Sequence, residues 1–209
     1  MITESKVTEI FCIADDFCKE FEVEMAKNSL ASSPDTPKRR RKRMMSDAEV
    51  ITILICFHFN TYRNFKHYYL SCVCGQWRHL FPRRFSYNRF VEIMPRCFVA
   101  LTMFLRLACF GECTGISFVD STCIPVIHNK REFNMKVFKG IAAKGKSTMG
   151  WYVGFKLHLL CNEKGELVNF VLTRANVDDR EVSVIDTLTD KVFGKLYADK
   201  GYISKSLFG

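Results

Sequence analysis

Two aspartates, Asp120 and Asp199, each follow a short apolar segment and are candidates to bind a metal ion. Asp120 ends the short apolar segment 115–119, and Asp199 ends the segment 195–198. Each segment has the length and composition of a buried strand. Carboxylate oxygens suit Mg²⁺, which keeps several waters and completes its shell with phosphate oxygens. Two such ions can activate an attacking oxygen and stabilise a leaving one in phosphodiester cleavage. Either aspartate alone is better explained as a turn cap, but the pair in this element order favours a functional site.

The elements between the two aspartates predict that they meet. Residues 153–159 alternate between apolar and polar positions, and a loop at 162–166 returns the chain as a strand over 167–172. A helix follows, capped by the residues at 178–181, and a helix is the crossover that a parallel neighbouring strand needs. We therefore predict that the strands of the two aspartates are adjacent and parallel, with the carboxylates within about 10 Å of each other.

His158 lies on the polar side of the alternating strand, together with Gly154 and Lys156. An imidazole can exchange a proton near neutral pH, so His158 is a candidate for contact with DNA or with a catalytic water. A half-exposed strand histidine without such a role is the more ordinary interpretation.

The first 112 residues have a different character. Apolar residues at helical spacing predict a helix over 8–25. Ser46 and Glu49 form a capping-box pattern that opens a second helix, to about residue 59. A third helical region is predicted from 86 to about 109, with a break at Pro95. The sequence thus predicts a helical region over 1–112, followed by an α/β domain over 113–209.

The chain is strongly basic, with a formal net charge of +9 and a pI of about 9.1. A charge of this size favours a polyanionic partner, nucleic acid before membrane. Two basic stretches are candidate DNA contacts. The first is a linker run of Lys38, Arg39, Arg40, Arg41, Lys42 and Arg43. The second, expected to leave the sheet near Asp120 and to lie beside the scissile phosphate, contains Lys130, Arg131, Lys136, Lys139, Lys144 and Lys146.

Three motifs resemble those of the Asp-Asp-Glu (DDE) transposases of bacterial insertion sequences. They are Val119-Asp120-Ser121-Thr122, Gly154-Phe155-Lys156-Leu157-His158 and Ala198-Asp199-Lys200-Gly201-Tyr202. The resemblance covers residues 116–202, and the basic helical region is also similar to what precedes the catalytic domain in this family. It implies an RNase H-like mixed sheet in which Asp120 and Asp199 are catalytic and bind Mg²⁺, with Mn²⁺ as a possible substitute.

The resemblance also implies an activity and its partners. The activity is cleavage at the ends of a mobile element and strand transfer into target DNA, carried out by a homo-oligomer assembled on DNA. The expected location is the bacterial cytoplasm, in association with the nucleoid and without a membrane anchor.

The family's third carboxylate is a glutamate on a later helix, and no glutamate follows Asp199 in this sequence. The triad is incomplete as written, although Asp179 or Glu181 could lend a carboxylate if they are not merely structural. We therefore expect the 209-residue chain to bind DNA without cutting it measurably. The alternative is a non-catalytic DNA-binding remnant or regulator that binds element ends.

Overall fold

The computed structural model describes residues 2–28, 44–199 and 202 of the 209-residue chain. It divides into two compact units, Met1–Ala108 and Cys109–Gly209. The basic run Lys38–Arg43 lies outside the described residues. The described part of the first unit is helical, and the second unit is built on a mixed sheet. The predicted class, a mixed sheet preceded by a helical region, is confirmed.

The helices of the first unit follow the sequence signals closely. Ser46 accepts the backbone N–H of Glu49 at 3.1 Å, and its own N–H donates to the Glu49 carboxylate at 2.7 Å, so the predicted capping box is confirmed. The predicted break at Pro95 is confirmed as a 3₁₀ turn. The elements are α1 (Glu4–Asn28), α2 (Asp47–His58), α3 (Phe65–Tyr68) with a π-helical continuation (Tyr69–Gln76), α4 (Tyr87–Ile93), the 3₁₀ turn (Met94–Cys97), α5 (Phe98–Phe104) and a final π turn (Leu105–Cys109).

A large apolar core holds the first unit together. Tyr68, Tyr69 and Phe90 are fully buried, and the two tyrosine hydroxyls are satisfied because they donate to backbone carbonyls, at 3.0 Å for Tyr68 and 2.8 Å for Tyr69. Helix α3 and its π-helical continuation, which carry Tyr68 and Tyr69 respectively, were not singled out from the sequence. None of the helices in the described ranges is long and apolar enough to cross a membrane.

The sheet of the second unit is organised around its longest strand, β3. One edge of β3 pairs antiparallel with β1, and the other edge pairs antiparallel with β2 and β4 in succession. The free edge of β1 pairs in parallel with β5. The elements are β1 (Ile116–Ile127), a 3₁₀ turn (Asn129–Asn134), β2 (Ala143–Ser147), β3 (Gly150–Asn162), β4 (Leu167–Arg174), α6 (Val182–Thr189) and β5 (Lys195–Ala198). The short strand β2 was not predicted.

One face of this sheet packs beneath α6. Val119, Leu160, Leu188 and Tyr202 form a small apolar cluster there. Lys156 and His158 share this face because they alternate with the outward-facing residues of β3, and His158 is 0% exposed. The expectation of a half-exposed histidine was therefore wrong. Alternation shows which residues share a face, but the position of the helix decides which face is buried.

Candidate active site

The two candidate aspartates follow the same point of the parallel strand pair. β1 and β5 are paired from Ile116 opposite Lys195 to Val119 opposite Ala198. Asp120 and Asp199 are the next residues on their strands, and both are exposed. Neighbouring strands lie about 4.8 Å apart, so the two backbones are close enough for a shared ion. The predicted parallel pairing of these strands is confirmed.

Asp120 does not end its strand, contrary to expectation. β1 continues to Ile127, paired with β3, and Ser121 lies opposite His158. The physical reason is that β1 has two partners of unequal length: the parallel partner β5 ends at Ala198, while the antiparallel partner β3 continues. Asp120 therefore lies within β1, at the position where the neighbouring strand β5 ends, and not at the start of a loop.

Tyr202 lies on the buried side of the sheet and contacts the chain close to both candidate aspartates. Its backbone N–H donates to the carbonyl of Asp199 at 2.9 Å, which closes a turn after β5. Its hydroxyl lies 3.1 Å from Nδ1 of His158, and the nearby Ser121 side chain favours the ionised form of the phenol. Ser121 in turn donates its backbone N–H to Oδ1 of Asp120 at 2.7 Å. Burial, reinforced by the charges of Asp179 and Asp120, raises the pKa of Tyr202 to about 12, so the phenol is protonated and able to donate.

A buried polar network supports Tyr202. His158 uses its second ring nitrogen, Nε2, to bond Thr173 Oγ1 at 3.1 Å. Beside it, the Lys156 ammonium contacts Asp179 Oδ1 at 2.9 Å and donates to the carbonyl of Val177 at 2.8 Å. Burial lowers the pKa of His158 and outweighs the opposing charge of Asp179, 3.9 Å away, so the imidazole is neutral near pH 7. His158 is thus a buried, hydrogen-bonded member of this network and is inaccessible to DNA.

Comparison with known proteins identifies the second unit. Residues 110–209 match the family model described as a transposase DDE domain. The match supports a DDE transposase domain in this part of the chain. No curated protein matches the chain. The matched range contains the whole sheet, both aspartates and the basic segment 130–146.

The acids before α6 do not join the pair of this DDE domain. Asp179 is engaged by Lys156, and Asp178 is engaged by Arg180, whose side chain lowers the pKa of the Asp178 carboxyl. Glu181, within the predicted capping segment 178–181, is the N-cap residue of α6 and makes no side-chain capping bond. Across the described ranges, no three histidine, cysteine or acidic side chains lie close enough to hold a metal ion together.

The basic segment of the transposase domain is displayed on the surface. All six of its candidate DNA-binding residues are exposed: Lys130, Arg131, Lys136, Lys139, Lys144 and Lys146. It leaves the sheet at Ile127, seven residues beyond Asp120, which is roughly 20 Å along the strand. The expectation that it leaves near Asp120 was therefore wrong, because β1 is longer than its apolar sequence indicated.

Pairing nevertheless places part of this segment on the same face as Asp120. Lys144 is opposite Val153 in β3, and Asp120 is opposite Leu159. Leu159 is six positions after Val153 in β3, an even number, so the two residues project to the same side, and directly opposed residues also share a side of a sheet. The basic strand and the candidate acid therefore share one face, opposite to the face that α6 covers.

The donor set at the aspartates fits a divalent ion. Two exposed carboxylates on neighbouring strands offer hard oxygen ligands and leave room for water and phosphate oxygens. Domains of the DDE type work with a divalent metal, and the β1–β5 pairing brings two acids that are distant in the chain onto neighbouring strands.

Proposed function

We propose that this transposase domain cuts DNA at the ends of an insertion sequence and joins the freed ends to target DNA, with a divalent ion held by Asp120 and Asp199. Mg²⁺ is the proposed ion and Mn²⁺ a substitute. The observation that carries the proposal is the parallel pairing that stops at Val119 and Ala198, directly before the two acids. A bound ion would polarise a phosphoryl oxygen and lower the pKa of a coordinated water.

The protein's own contribution is positioning. The Ser121 N–H fixes one carboxylate oxygen of Asp120 and leaves the other available. Tyr202 holds the turn that follows Asp199, and the neutral His158 holds the Tyr202 hydroxyl. Catalysis of phosphoryl transfer depends on such positioning and on charge stabilisation more than on covalent chemistry.

We assign DNA contact to the basic residues of both units. Lys130, Arg131, Lys136, Lys139, Lys144 and Lys146 would contact phosphates of the bound DNA at a distance from the two aspartates, and Lys38–Arg43 would add non-specific affinity. In this proposal residues 1–112 bind element ends, residues 113–209 carry the chemistry, and the protein assembles as a homo-oligomer on DNA in the bacterial nucleoid.

Mn²⁺ binding tests the site without requiring turnover. Free Mn²⁺, measured by its paramagnetic resonance signal in titrations of the 209-residue chain, should fall as the ion binds. Asp120→Asn and Asp199→Asn should each weaken binding by more than the roughly tenfold loss that accompanies removal of an outer-shell partner. Asp186→Asn is the matched control, because Asp186 is an exposed acid on α6.

Two outcomes would change the proposal. Equal Mn²⁺ affinity in all four proteins would remove the metal assignment from Asp120 and Asp199. DNA binding by the wild-type chain with no Mn²⁺ binding at all would favour the alternative, a non-catalytic protein that binds element ends. In a form of the protein that carries a third carboxylate, nicking of supercoiled DNA with element ends should require Mg²⁺ and both aspartates.

A further inference from the structure

Trp151 is a large aromatic residue that the fold leaves in solvent. It is the second residue of β3, directly after the β2–β3 turn, and its side chain is 58% exposed. Trp77, the other tryptophan of the chain, is only 3% exposed in the helical unit. Exposing this much apolar ring costs free energy in water, so a ring in this position is available for a partner.

Two lysines flank the ring. Lys146 lies directly opposite Trp151 in the β2–β3 pairing, and Lys144 is two residues away on the same face of β2. The ammonium nitrogens of Lys144 and Lys146 each lie 5.9 Å from the centre of the ring. Glu132 neutralises Lys144 at 3.0 Å, but Lys146 makes no ion pair within the described part of the chain. An aromatic face and an available cation therefore occur together.

An open cavity adjoins this group. Its volume is about 400 Å³, and its lining includes Lys144, Lys146, Trp151 and Lys156. Two carboxylates also line it, and both are paired: Asp179 with Lys156 and Asp178 with Arg180. In the surrounding segment 130–146, six basic residues face the single acid Glu132. The positive charge of this segment favours an anionic partner. The exposed tryptophan ring favours an anionic partner that also has a flat apolar surface, such as a nucleic-acid base.

We propose that Trp151, Lys144 and Lys146 form a stacking site for an unpaired DNA base and its adjoining phosphate. The inference rests on the proposed function only in taking DNA as the substrate. Bases in a duplex are stacked on their neighbours and do not present a free face, whereas every unpaired base does. The site lies on the same face of the sheet as Asp120. Asp120 pairs with Leu159, and Trp151 is eight residues before Leu159 on β3, a distance of roughly 26 Å along the strand.

Tryptophan fluorescence provides a direct test, because base stacking quenches the indole and Trp77 is buried in the other unit. Addition of a short oligo(dT) to the 209-residue chain should quench part of the emission. A matched abasic oligonucleotide, with the same phosphates and no bases, should bind more weakly and leave the emission unchanged. A duplex should bind through phosphates without the quench.

Three variants separate the ring from the charges. Trp151→Ala should weaken oligo(dT) binding by about 5- to 100-fold, while Trp151→Phe should retain most of the affinity but lose the quench. Lys144→Gln with Lys146→Gln should reduce the log–log salt slope by up to about 1.4 and keep the quench at low salt. The phenylalanine variant preserves an aromatic ring on β3 and guards against a trivial loss of folding.

The proposal is overturned by unchanged oligo(dT) affinity in Trp151→Ala, or by equal affinity for the abasic strand. Loss of self-association in Trp151→Ala with unchanged oligo(dT) affinity would assign the ring to a contact between copies and would also overturn it. Failure here leaves Mn²⁺ binding by Asp120 and Asp199 intact. Conversely, base stacking with no Mn²⁺ binding would retain this site and remove the metal site.

Discussion

The helical unit buries aromatic and aliphatic side chains in one large core, whereas the sheet unit buries polar side chains beside a small apolar cluster. Thr52 is the buried polar side chain of the first unit within the described ranges. The sheet unit has four: Ser117, Lys156, His158 and Asn162. Its remaining sheet face exposes apolar residues such as Phe118 and Tyr197, whose rings stack on each other.

The two kinds of interior have different effects: an apolar core mainly stabilises the fold, whereas a hydrogen-bond network also determines the positions of its side chains. An apolar core is non-directional and tolerates small shifts, because its free energy depends on the area removed from water. A buried hydrogen-bond network stabilises only one arrangement, since each unsatisfied partner is costly. The sheet unit has such a network, Thr173–His158–Tyr202, and Tyr202 also donates its backbone N–H to the carbonyl of the candidate acid Asp199.

The largest change in stability is expected from a substitution in the apolar core of the helical unit. Phe90 is fully buried, with its ring 4.7 Å from that of Tyr69. Phe90→Ala should reduce the free energy of unfolding of the helical unit by about 3–5 kcal/mol, through lost burial and a residual cavity. Urea unfolding followed by Trp77 fluorescence, in a Trp151→Phe background, measures this directly.

Phe98 provides the matched control, because its side chain is 69% exposed on the neighbouring α5. Phe98→Ala should change the free energy of unfolding by no more than about 0.5 kcal/mol. Equal losses in the two variants would mean that burial does not determine the stability of this unit.

A smaller effect is expected when the buried network is cut. Tyr202→Phe removes the hydroxyl and leaves His158 Nδ1 without this partner, which should cost the sheet unit about 1–3 kcal/mol. Because the turn after Asp199 loses its anchor, Mn²⁺ affinity should fall as well. Hydrogen exchange of β3 peptides measures the stability, and the resonance titration measures the affinity.

Tyr197→Phe is the control for this variant, since Tyr197 is 50% exposed on β5. It should leave both quantities unchanged. If Tyr202→Phe lowers stability but not Mn²⁺ affinity, the network is structural only, and the positioning role is refuted.

The sequence predicted the elements that carry strong local signals. The capping box at Ser46 and Glu49, the break at Pro95 and the parallel pairing of the two aspartate strands were all confirmed. These features depend on residues close in sequence, or on the rule that a helical crossover joins parallel neighbours.

Features that depend on tertiary packing were missed. The length of β1 is set by its partner β3, and the burial of His158 is set by α6, neither of which appears in local periodicity. β2 was missed because its sequence, Ala-Lys-Gly-Lys-Ser, has little strand propensity and pairs only through the neighbouring β3. Tyr202 followed a candidate acid in the sequence, but its contact with His158 spans 44 residues and required the fold.

The smallest effect expected is a pH dependence confined to the sheet unit. Burial lowers the pKa of His158 in the folded state below its ordinary value of about 6.5. The Lys156 ammonium lowers it further, the Asp179 carboxylate opposes both, and the Tyr202 phenol is the remaining titratable contact. The unfolded chain therefore binds a proton that the folded unit resists, so stability is fully present above about pH 6.5 and declines as the pH falls below it. For one proton the slope is at most about 1.4 kcal/mol per pH unit.

Hydrogen exchange of β3 peptides between pH 7.5 and 5.5, corrected for the intrinsic exchange rate, should show this decline, and His158→Gln should flatten it even if the variant is less stable overall. An identical slope in the variant would show that His158 is not the group that titrates, and that the pH dependence arises from another group of the sheet unit.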